Sequence, residues 1–195
     1  MASLGERADA IRSRKVLPEE DNMLKVCTDG RKAALDLRLL GLPITDPGKI
    51  ETAAERVADL RQAHCDDTHP APGGQDAPIR GSLQMVFCDI GTPGDDWNVY
   101  DELRDQLAAR GLPRESIRFV HDAKSDRDQG ELFAACRAVD VAVLIGSTET
   151  IGVGTNVQLR AIALAHKRHH SPRRRSRHRH PHDPPPRSAA SSPAS

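Results

Sequence analysis

Residues 141–145 read VAVLI, and residues 146–157 continue with GSTETIGVGTNV. An apolar run of this kind, without polar alternation, predicts a strand that is covered on both faces, as in a parallel sheet. The segment after it holds three glycines and four hydroxyl side chains. Glycine lets the backbone come close to a ligand, and exposed amides with hydroxyls form a phosphate-binding concavity. An ordinary glycine-rich turn fits the same spacing equally well.

The residues before this stretch alternate between strand-like and helix-like patterns. We predict strands at residues 83–88, 117–120 and 139–145, and helices at residues 100–111 and 127–137. This alternation is typical of an α/β fold with a parallel sheet. In such sheets the ligand-contacting loops follow the carboxyl ends of the strands, so the loops at 89–93 and 146–158 are where we expect the functional site.

The first part of the chain is less regular. Residues 1–22 are polar and predict a linker or the remnant of a preceding element, and residues 64–81 predict a surface loop. Residues 49–64 carry apolar side chains at steps of three and four, which predicts an amphipathic helix. We therefore divide the chain into four segments. They are a linker at 1–22, a strand-helix extension at 23–48 (strand 23–27, helix 30–40), a domain at 49–165 and a tail at 166–195.

The composition limits the class of protein. No apolar run approaches the ~20 residues of a membrane span, and residues 1–15 lack the hydrophobic centre of a signal peptide, so we expect a soluble cytoplasmic protein. The four cysteines form no C-x-x-C pair, which favours reduced thiols over disulfides or a zinc site. Aromatic residues make up 3% of the chain, which argues against a surface that stacks unpaired bases.

The formal net charge of zero hides an uneven distribution. Residues 166–195 contain eight Lys or Arg residues and one acidic residue, which leaves 20 basic and 27 acidic residues in the rest of the chain. The tail therefore carries a charge of about +7 and the remainder about −7. Because clustered arginine neutralises phosphates, any contact with nucleic acid is expected to go through the backbone.

The glycine-rich segment also carries a family resemblance. The pattern Ser147-Thr148-x-x-x-Gly152-x-Gly154-x-Asn156-Val157 resembles motif V of the Snf2-type superfamily 2 DNA helicases. Residues 86–92 resemble motif IV of the same family, and the helix that begins at Lys49 resembles the one that opens the second helicase lobe. Arg127 and Phe133 fall where that lobe has an Arg and a Phe. Residues 21–25 and 29–36 resemble the large bacterial and phage helicases that are often joined to an adenine methylase.

This resemblance implies a three-layer RecA-like α/β domain over residues 49–164, the C-terminal lobe of a helicase. It also implies a site that touches the DNA sugar-phosphate backbone and couples it to ATP bound between two lobes. The implied motif V residues are Ser147, Thr148, Gly152, Gly154, Thr155 and Asn156. Thr92, after the motif IV strand, would be a weaker phosphate contact. The implied partners are DNA and a separate chain that carries the first helicase lobe or a DNA methylase.

The departures from the family are as informative as the matches. The chain has no Walker A or Walker B motif, and the Q-x-x-G-R-x-x-R run of motif VI does not follow residue 165. The intact family enzyme uses ATP and magnesium, whereas this chain is expected to use no cofactor by itself. We assign it no catalytic residue and no metal ligand. The family that the chain resembles hydrolyses ATP, but we expect this chain to be a fragment without that activity by itself.

The tail stands where motif VI is expected. Its arginines at positions 173–179 indicate a disordered segment that binds nucleic acid or directs nuclear import. Its six histidines have no fixed geometry and are weak support for a metal site. A frameshift in a GC-rich gene explains the same low-complexity composition and is the interpretation that we favour. The clustered arginines are Arg173, Arg174, Arg175, Arg177 and Arg179.

Two rival functions stay open at this point. One is a non-catalytic DNA-binding module that uses the motif V loop and the basic tail. The other is a small-molecule α/β enzyme with residues 146–156 as its phosphate loop, which is disfavoured because no acid, base or nucleophile converges on that loop by spacing. Trp97 is expected to anchor its loop to the next helix, and no role is assigned to the pair His121 and Asp122.

Overall fold

The computed structural model describes residues 3–44, 48–70, 78–138, 140–152, 157 and 160–166. The fold is mixed α/β, as the alternating pattern predicts. The helices are Leu4–Arg12 (α1), Met23–Leu35 (α2), Lys49–Ala63 (α3), Val99–Ala109 (α4), Asp126–Ala138 (α5) and Thr148–Gly152 (α6). The strands are Thr68–His69 (β1), Ile79–Arg80 (β2), Leu83–Phe87 (β3), Ile117–Phe119 (β4), Val143–Gly146 (β5) and Ala161–His166 (β6).

Four of the strands form one parallel sheet in the order β4-β5-β3-β6. Met85 of the central strand β3 lies opposite Leu144 of β5 and Leu164 of β6. On the other side of β5, Ile117 of β4 lies opposite Val143. The parallel sheet predicted from the sequence is therefore confirmed, and the buried run at 141–145 lies in its interior.

The sheet has apolar clusters on both faces, because successive side chains of a strand point to opposite sides. Val143 and Ile145 belong to a cluster with side chains of α3 and α4, whereas Leu144 belongs to a second cluster with side chains of α5 and α6. The helical members of the first cluster are Leu35, Ile50, Ala54, Val57, Val99, Tyr100, Leu103 and Leu107, and those of the second are Leu132, Cys136 and Ile151. The strand at 143–146 is thus covered on both faces, as its apolar run predicts.

The prediction of a strand at residues 23–27 is wrong. These residues begin α2, and the Asn22 side chain caps the helix by accepting a hydrogen bond from the Lys25 amide at 3.0 Å. Met, Leu and Lys are strong helix formers, and with a cap in front of them the helix continues through Gly30 to Leu35. The helix predicted at 30–40 ends at Leu35 and is followed by a 3-10 turn at Leu37–Leu40.

The amino-terminal segment expected to be a linker contains helix α1. Ser3 and Glu6 form a capping box at its start, and Arg7 joins it to the rest of the chain. The Arg7 guanidinium donates to Asp21 at 2.6 Å and to Asp29 of α2 at 2.8 Å. These ion pairs hold α1 against α2.

The extension is attached to the domain through Arg38. This guanidinium donates to Asp36, whose carboxylate is fully buried, at 2.9 Å, and to Glu102 of α4 at 3.0 Å. The Trp97 indole N–H also donates to Glu102 at 3.0 Å, and the Arg38 guanidinium lies 4.1 Å from the centre of the Trp97 ring. The expected anchoring of Trp97 to the next helix is confirmed.

Two further features complete the path of the chain. The region expected to be a loop includes the short antiparallel pair β1 and β2. Before β6, the buried Arg160 side chain donates to the carbonyls of Gly81 and Cys136, so it ties the start of β3 to the end of α5. Within the described ranges, no helix is long and apolar enough to cross a membrane.

Candidate functional site

The candidate site lies where the parallel strands β3 and β5 end side by side. The chain leaves β3 toward α4, which packs on one face of the sheet, and leaves β5 toward α6, which packs on the other. The two exits diverge at the carboxyl edge of the sheet, and we call the place between them, at residues 88–92 and 146–150, the crevice. Such a switch in direction is the usual ligand position in open α/β sheets.

Asp89 and Thr148 meet across this crevice, although they lie 59 residues apart in the sequence. The Thr148 amide donates to Asp89 Oδ1 at 2.6 Å, and the Thr148 hydroxyl donates to Asp89 Oδ2 at 3.0 Å. Both residues are exposed. A single carboxylate therefore accepts both donors of Thr148, as an oxyanion of a ligand would.

Ser147 and Thr150 shape the backbone on the β5 side of the crevice. The Ser147 amide donates to Thr150 Oγ1 at 2.9 Å, and the Thr150 amide donates to Ser147 Oγ at 3.1 Å. Gly146 is required before this turn, because a Cβ at that position would lie 2.7 Å from the Ile151 side chain. The hydroxyls of Ser147 and Thr150 are therefore engaged with the turn, which leaves Thr148 as the member of the run that projects into the crevice.

A buried tyrosine fixes the backbone on the β3 side. The Tyr100 hydroxyl donates to the carbonyl of Cys88 at 2.6 Å, and the Cys88 amide donates to the carbonyl of Gly146 at 2.9 Å. Burial, together with the neighbouring Cys88 and Asp89, raises the pKa of Tyr100 well above its usual value. The phenol therefore stays protonated and continues to donate this hydrogen bond.

The end of β4 reaches the same edge of the sheet. The His121 ring contacts the Tyr100 ring edge to face, with 5.2 Å between centroids, and Phe119 contacts the same tyrosine at 5.4 Å. His121 Nδ1 is buried, and no group within the described ranges hydrogen-bonds to it. Among the described residues, no hydrogen bond joins His121 or Asp122 to a nucleophilic side chain, so they are given no catalytic role.

The turn after Asp89 places Thr92 at the surface. Gly91 adopts a φ of 72°, and its carbonyl accepts the Val99 amide at 3.1 Å, which closes the loop onto the start of α4. Thr92 is exposed, as a residue that contacts a phosphate from the edge of the site has to be. The Thr92 hydroxyl makes no hydrogen bond with any other residue that the structure describes.

The structure thus covers only part of the predicted motif V segment. Ser147 and Thr148 lie at the crevice, and the backbone of Gly152 ends α6. Gly154, Thr155 and Asn156 lie outside the described residues, and so do all five clustered arginines of the tail. Outside the crevice, Arg127 is an exposed partner of Glu131 at 2.9 Å, and Phe133 packs against the second cluster.

Asp89 is the site residue that the sequence did not single out. Asp89 lies within residues 86–92, which resemble motif IV. The sequence feature that could have identified it is a carboxylate directly after a buried strand, at the edge of the sheet where ligands bind. Its pairing with Thr148 depends on β3 and β5 being neighbours, which local patterns do not show. Among the residues with described positions, no group of three or more His, Cys, Asp or Glu side chains is arranged to bind a metal ion.

A second concave region has a different character. A groove of about 710 Å³ lies between the second half of α3 and the end of α4, and it shares no residue with the crevice. It carries both acidic and basic side chains, and Arg110 lies 3.4 Å from Glu55. Because these charges neutralise one another, we assign no ligand to this groove.

Comparisons of the chain with protein-family models, with curated proteins and with solved structures found no match.

Proposed function

We propose that the chain is a RecA-like lobe of the helicase type that binds the sugar-phosphate backbone of DNA at the crevice between β3 and β5. In this proposal the helices on the two faces of the sheet are the outer layers of a three-layer domain. The lobe contacts DNA and, in an intact machine, transmits that contact to ATP held by another lobe. Alone, it binds DNA without hydrolysing ATP.

One observation carries the proposal. The pairing of β3 with β5 brings Ser147 and Thr148, in the segment that resembles motif V, next to the turn with Asp89 and Thr92 that resembles motif IV. These two segments are far apart in the sequence, and the resemblance assigns both of them to DNA contact. Their meeting at a switch point of a parallel sheet puts both segments at the usual ligand position of such sheets, which supports the proposal.

The charge distribution determines how strongly this site can bind by itself. Residues 1–165 carry a net charge of about −7, so long-range electrostatics oppose the approach of DNA. The tail carries about +7, and each Lys or Arg that pairs with a phosphate releases condensed counterions. The proposal therefore assigns most of the affinity to the tail and the positioning of the backbone to the crevice.

The absence of nucleotide-binding motifs explains why ATP hydrolysis is not expected. Phosphoryl transfer needs a lysine and backbone cradle for the phosphates, a magnesium site and an arginine that neutralises the developing charge. The sequence contains no G-x-x-x-x-G-K-[ST] loop and no motif VI run. In a phosphate-release assay, the full chain is expected to show no release with or without DNA.

The test of DNA binding uses the full chain and a fluorescently labelled oligonucleotide at several salt concentrations. We expect affinity that falls steeply with salt and has little sequence preference, since the slope of log K against log salt is about −0.9 per phosphate neutralised. A variant with the five clustered arginines changed to Gln is expected to lose most of the affinity. These are Arg173, Arg174, Arg175, Arg177 and Arg179.

The contribution of the crevice is tested with Thr148→Val, and Thr52→Val serves as the control. Thr52 is an exposed threonine on α3 that shares no contact with the crevice. We expect Thr148→Val to weaken binding by about tenfold, because a donated hydrogen bond to a phosphate is lost, and Thr52→Val to have no effect. Equal affinity for both variants and the wild type would refute DNA contact at the crevice.

A further inference from the structure

The donors of Thr148 are already occupied by an anion that belongs to the chain. Asp89 accepts from the Thr148 amide at 2.6 Å and from the Thr148 hydroxyl at 3.0 Å. A carboxylate and a phosphate present the same kind of charged oxygen acceptor, so both seek the same donors. Two anions cannot share these donors without strong repulsion at this short distance.

We propose that Asp89 is an intramolecular competitor of phosphate, an autoinhibitory contact that has to release Thr148 before a nucleic-acid backbone can bind there. This inference rests on the proposed function and adds a regulatory element to the same site. It makes binding at the crevice weaker than the donors alone would allow. It also makes binding depend on a backbone that approaches closely enough to displace the carboxylate.

The structure indicates which part moves and which part stays. The backbone before Asp89 is fixed, because the Cys88 carbonyl accepts from Tyr100 and the Cys88 amide donates to Gly146. The Asp89 residue itself is exposed, so its carboxylate can turn toward water by rotation about its own side-chain bonds. Release of Thr148 therefore requires a side-chain rotation and leaves the sheet intact.

The arrangement on the Thr148 side favours the same competition. The Ser147 and Thr150 hydroxyls are used within their own turn, so they do not offer a second set of donors to an incoming phosphate. Among the described donors of this turn, the ones that an anion can take are the amide and the hydroxyl of Thr148. These are the two groups that Asp89 occupies.

The test compares oligonucleotide affinity for the full-length wild type, Asp89→Asn, Thr148→Val and the double variant. Asp89→Asn removes the charge and still offers an oxygen to the Thr148 amide, so the turn is preserved. We expect Asp89→Asn to bind about fivefold more tightly than the wild type, because the competing charge is gone. In the Thr148→Val background, Asp89→Asn is expected to tighten binding less than it does in the wild type, because the hydroxyl for which Asp89 competes is gone and only the amide remains.

Asp122→Asn is the matched control for the loss of one negative charge. Asp122 is an exposed carboxylate just after β4, on the same edge of the sheet, and no hydrogen bond or ion pair joins it to Thr148. We expect this control to change affinity by less than about twofold, as a single exposed charge does. Asp89→Ser is made in parallel as a second uncharged variant, and urea unfolding confirms that each variant is folded.

The outcomes separate the two proposals. If Thr148→Val weakens binding but Asp89→Asn tightens it no more than Asp122→Asn does, the competition is refuted and the proposed DNA contact stands. If Asp89→Asn tightens binding equally with and without Thr148, the competition is also refuted, because a general charge effect explains the gain. If binding is independent of Thr148 in every variant, the DNA contact at the crevice fails and the inference fails with it.

Discussion

At Gly91 the backbone has a φ of 72°, which residues that carry a Cβ atom rarely adopt. A Cβ at this position would lie 2.5 Å from Val99 Cγ2 and 3.0 Å from Leu39 Cδ2. We therefore expect Gly91→Ala to lower the free energy of unfolding by about 1–3 kcal/mol, from strain and overpacking together. Urea unfolding measures this change.

Gly94 in the same loop provides the control for Gly91. A Cβ at Gly94 would have no atom within 4 Å, and its backbone does not require a positive φ. Gly94→Ala should leave stability unchanged or slightly increase it, because the unfolded chain loses freedom. A Gly91→Ala protein as stable as Gly94→Ala would contradict the packing described for this turn.

The buried thiol of Cys136 makes the free energy of unfolding depend on pH in the alkaline range. Burial in the second cluster raises the pKa of its thiol to about 11. The same thiol in the unfolded chain titrates near its ordinary value of about 8.5. The folded state thus holds the proton more tightly, and this contribution to stability is complete below about pH 8.5 and is lost as the pH rises toward about 11.

We expect the free energy of unfolding to fall over that alkaline range, and Cys136→Ala to make the fall smaller. The raised pKa of Tyr100 acts in the same direction. Cys27 is exposed, so Cys27→Ala serves as a control that leaves the alkaline fall unchanged. An identical pH profile for wild type and Cys136→Ala would show that the thiol does not contribute.

The sequence allowed some of these residue-level features to be anticipated. Trp97 was expected to anchor its loop, since an isolated aromatic after an acidic turn suits that role, and it does so through Glu102 and Arg38. The pairing of Asp89 with Thr148 was not anticipated. It requires the knowledge that β5 lies beside β3 in the sheet, and no local pattern contains the strand order.

The elements were predictable where the apolar spacing was regular. Helices α3, α4 and α5 were expected within a few residues of their observed ends, because each presents one apolar face to the sheet. The region of α2 was predicted as a short strand at 23–27 followed by a separate helix at 30–40. The Asn22 cap starts the helix earlier, and its contacts with α1 and the domain outweigh the cost of an internal glycine.

At this scale, Arg38 helps to hold the extension against the domain, together with the apolar contacts of Leu35 and Leu39. It is paired with Asp36, whose carboxylate is fully buried, and with Glu102 of α4. Arg38→Met keeps the aliphatic length but removes the charge that faces the buried carboxylate. We expect a loss of about 3 kcal/mol in the free energy of unfolding, at the lower end for a broken buried pair because Arg38 is itself partly exposed.

The control for Arg38 is Arg127→Met, which breaks an exposed pair with Glu131 on α5. Exposed pairs contribute little, so this variant should lose less than about 1 kcal/mol. The double variant Asp36→Asn with Arg38→Met should regain part of the stability, since the buried negative charge that the Arg38 guanidinium faces is gone. Equal losses for Arg38→Met and Arg127→Met would contradict the role given to the Asp36 pair.

For the whole molecule, composition and periodicity were enough to predict a parallel α/β fold. The run at 141–145 reads as a strand buried on both sides, and strand-helix alternation supplies the rest. The site could be predicted only to the level of two loops at one edge of the sheet. Which groups meet there depends on the strand order β4-β5-β3-β6, which long-range packing determines.

DNA contact at the crevice is tested most directly by amide chemical-shift mapping of the full chain during titration with an unlabelled oligonucleotide. If DNA contacts both the crevice and the tail, the amide resonances of Asp89, Thr92 and Thr148 will shift together with those of the tail. The amides of Ser82 and Val141, at the amino ends of β3 and β5, are predicted to stay unchanged. Shifts confined to the tail, or shifts at the amino ends without any change at Thr148, would contradict DNA contact at the crevice.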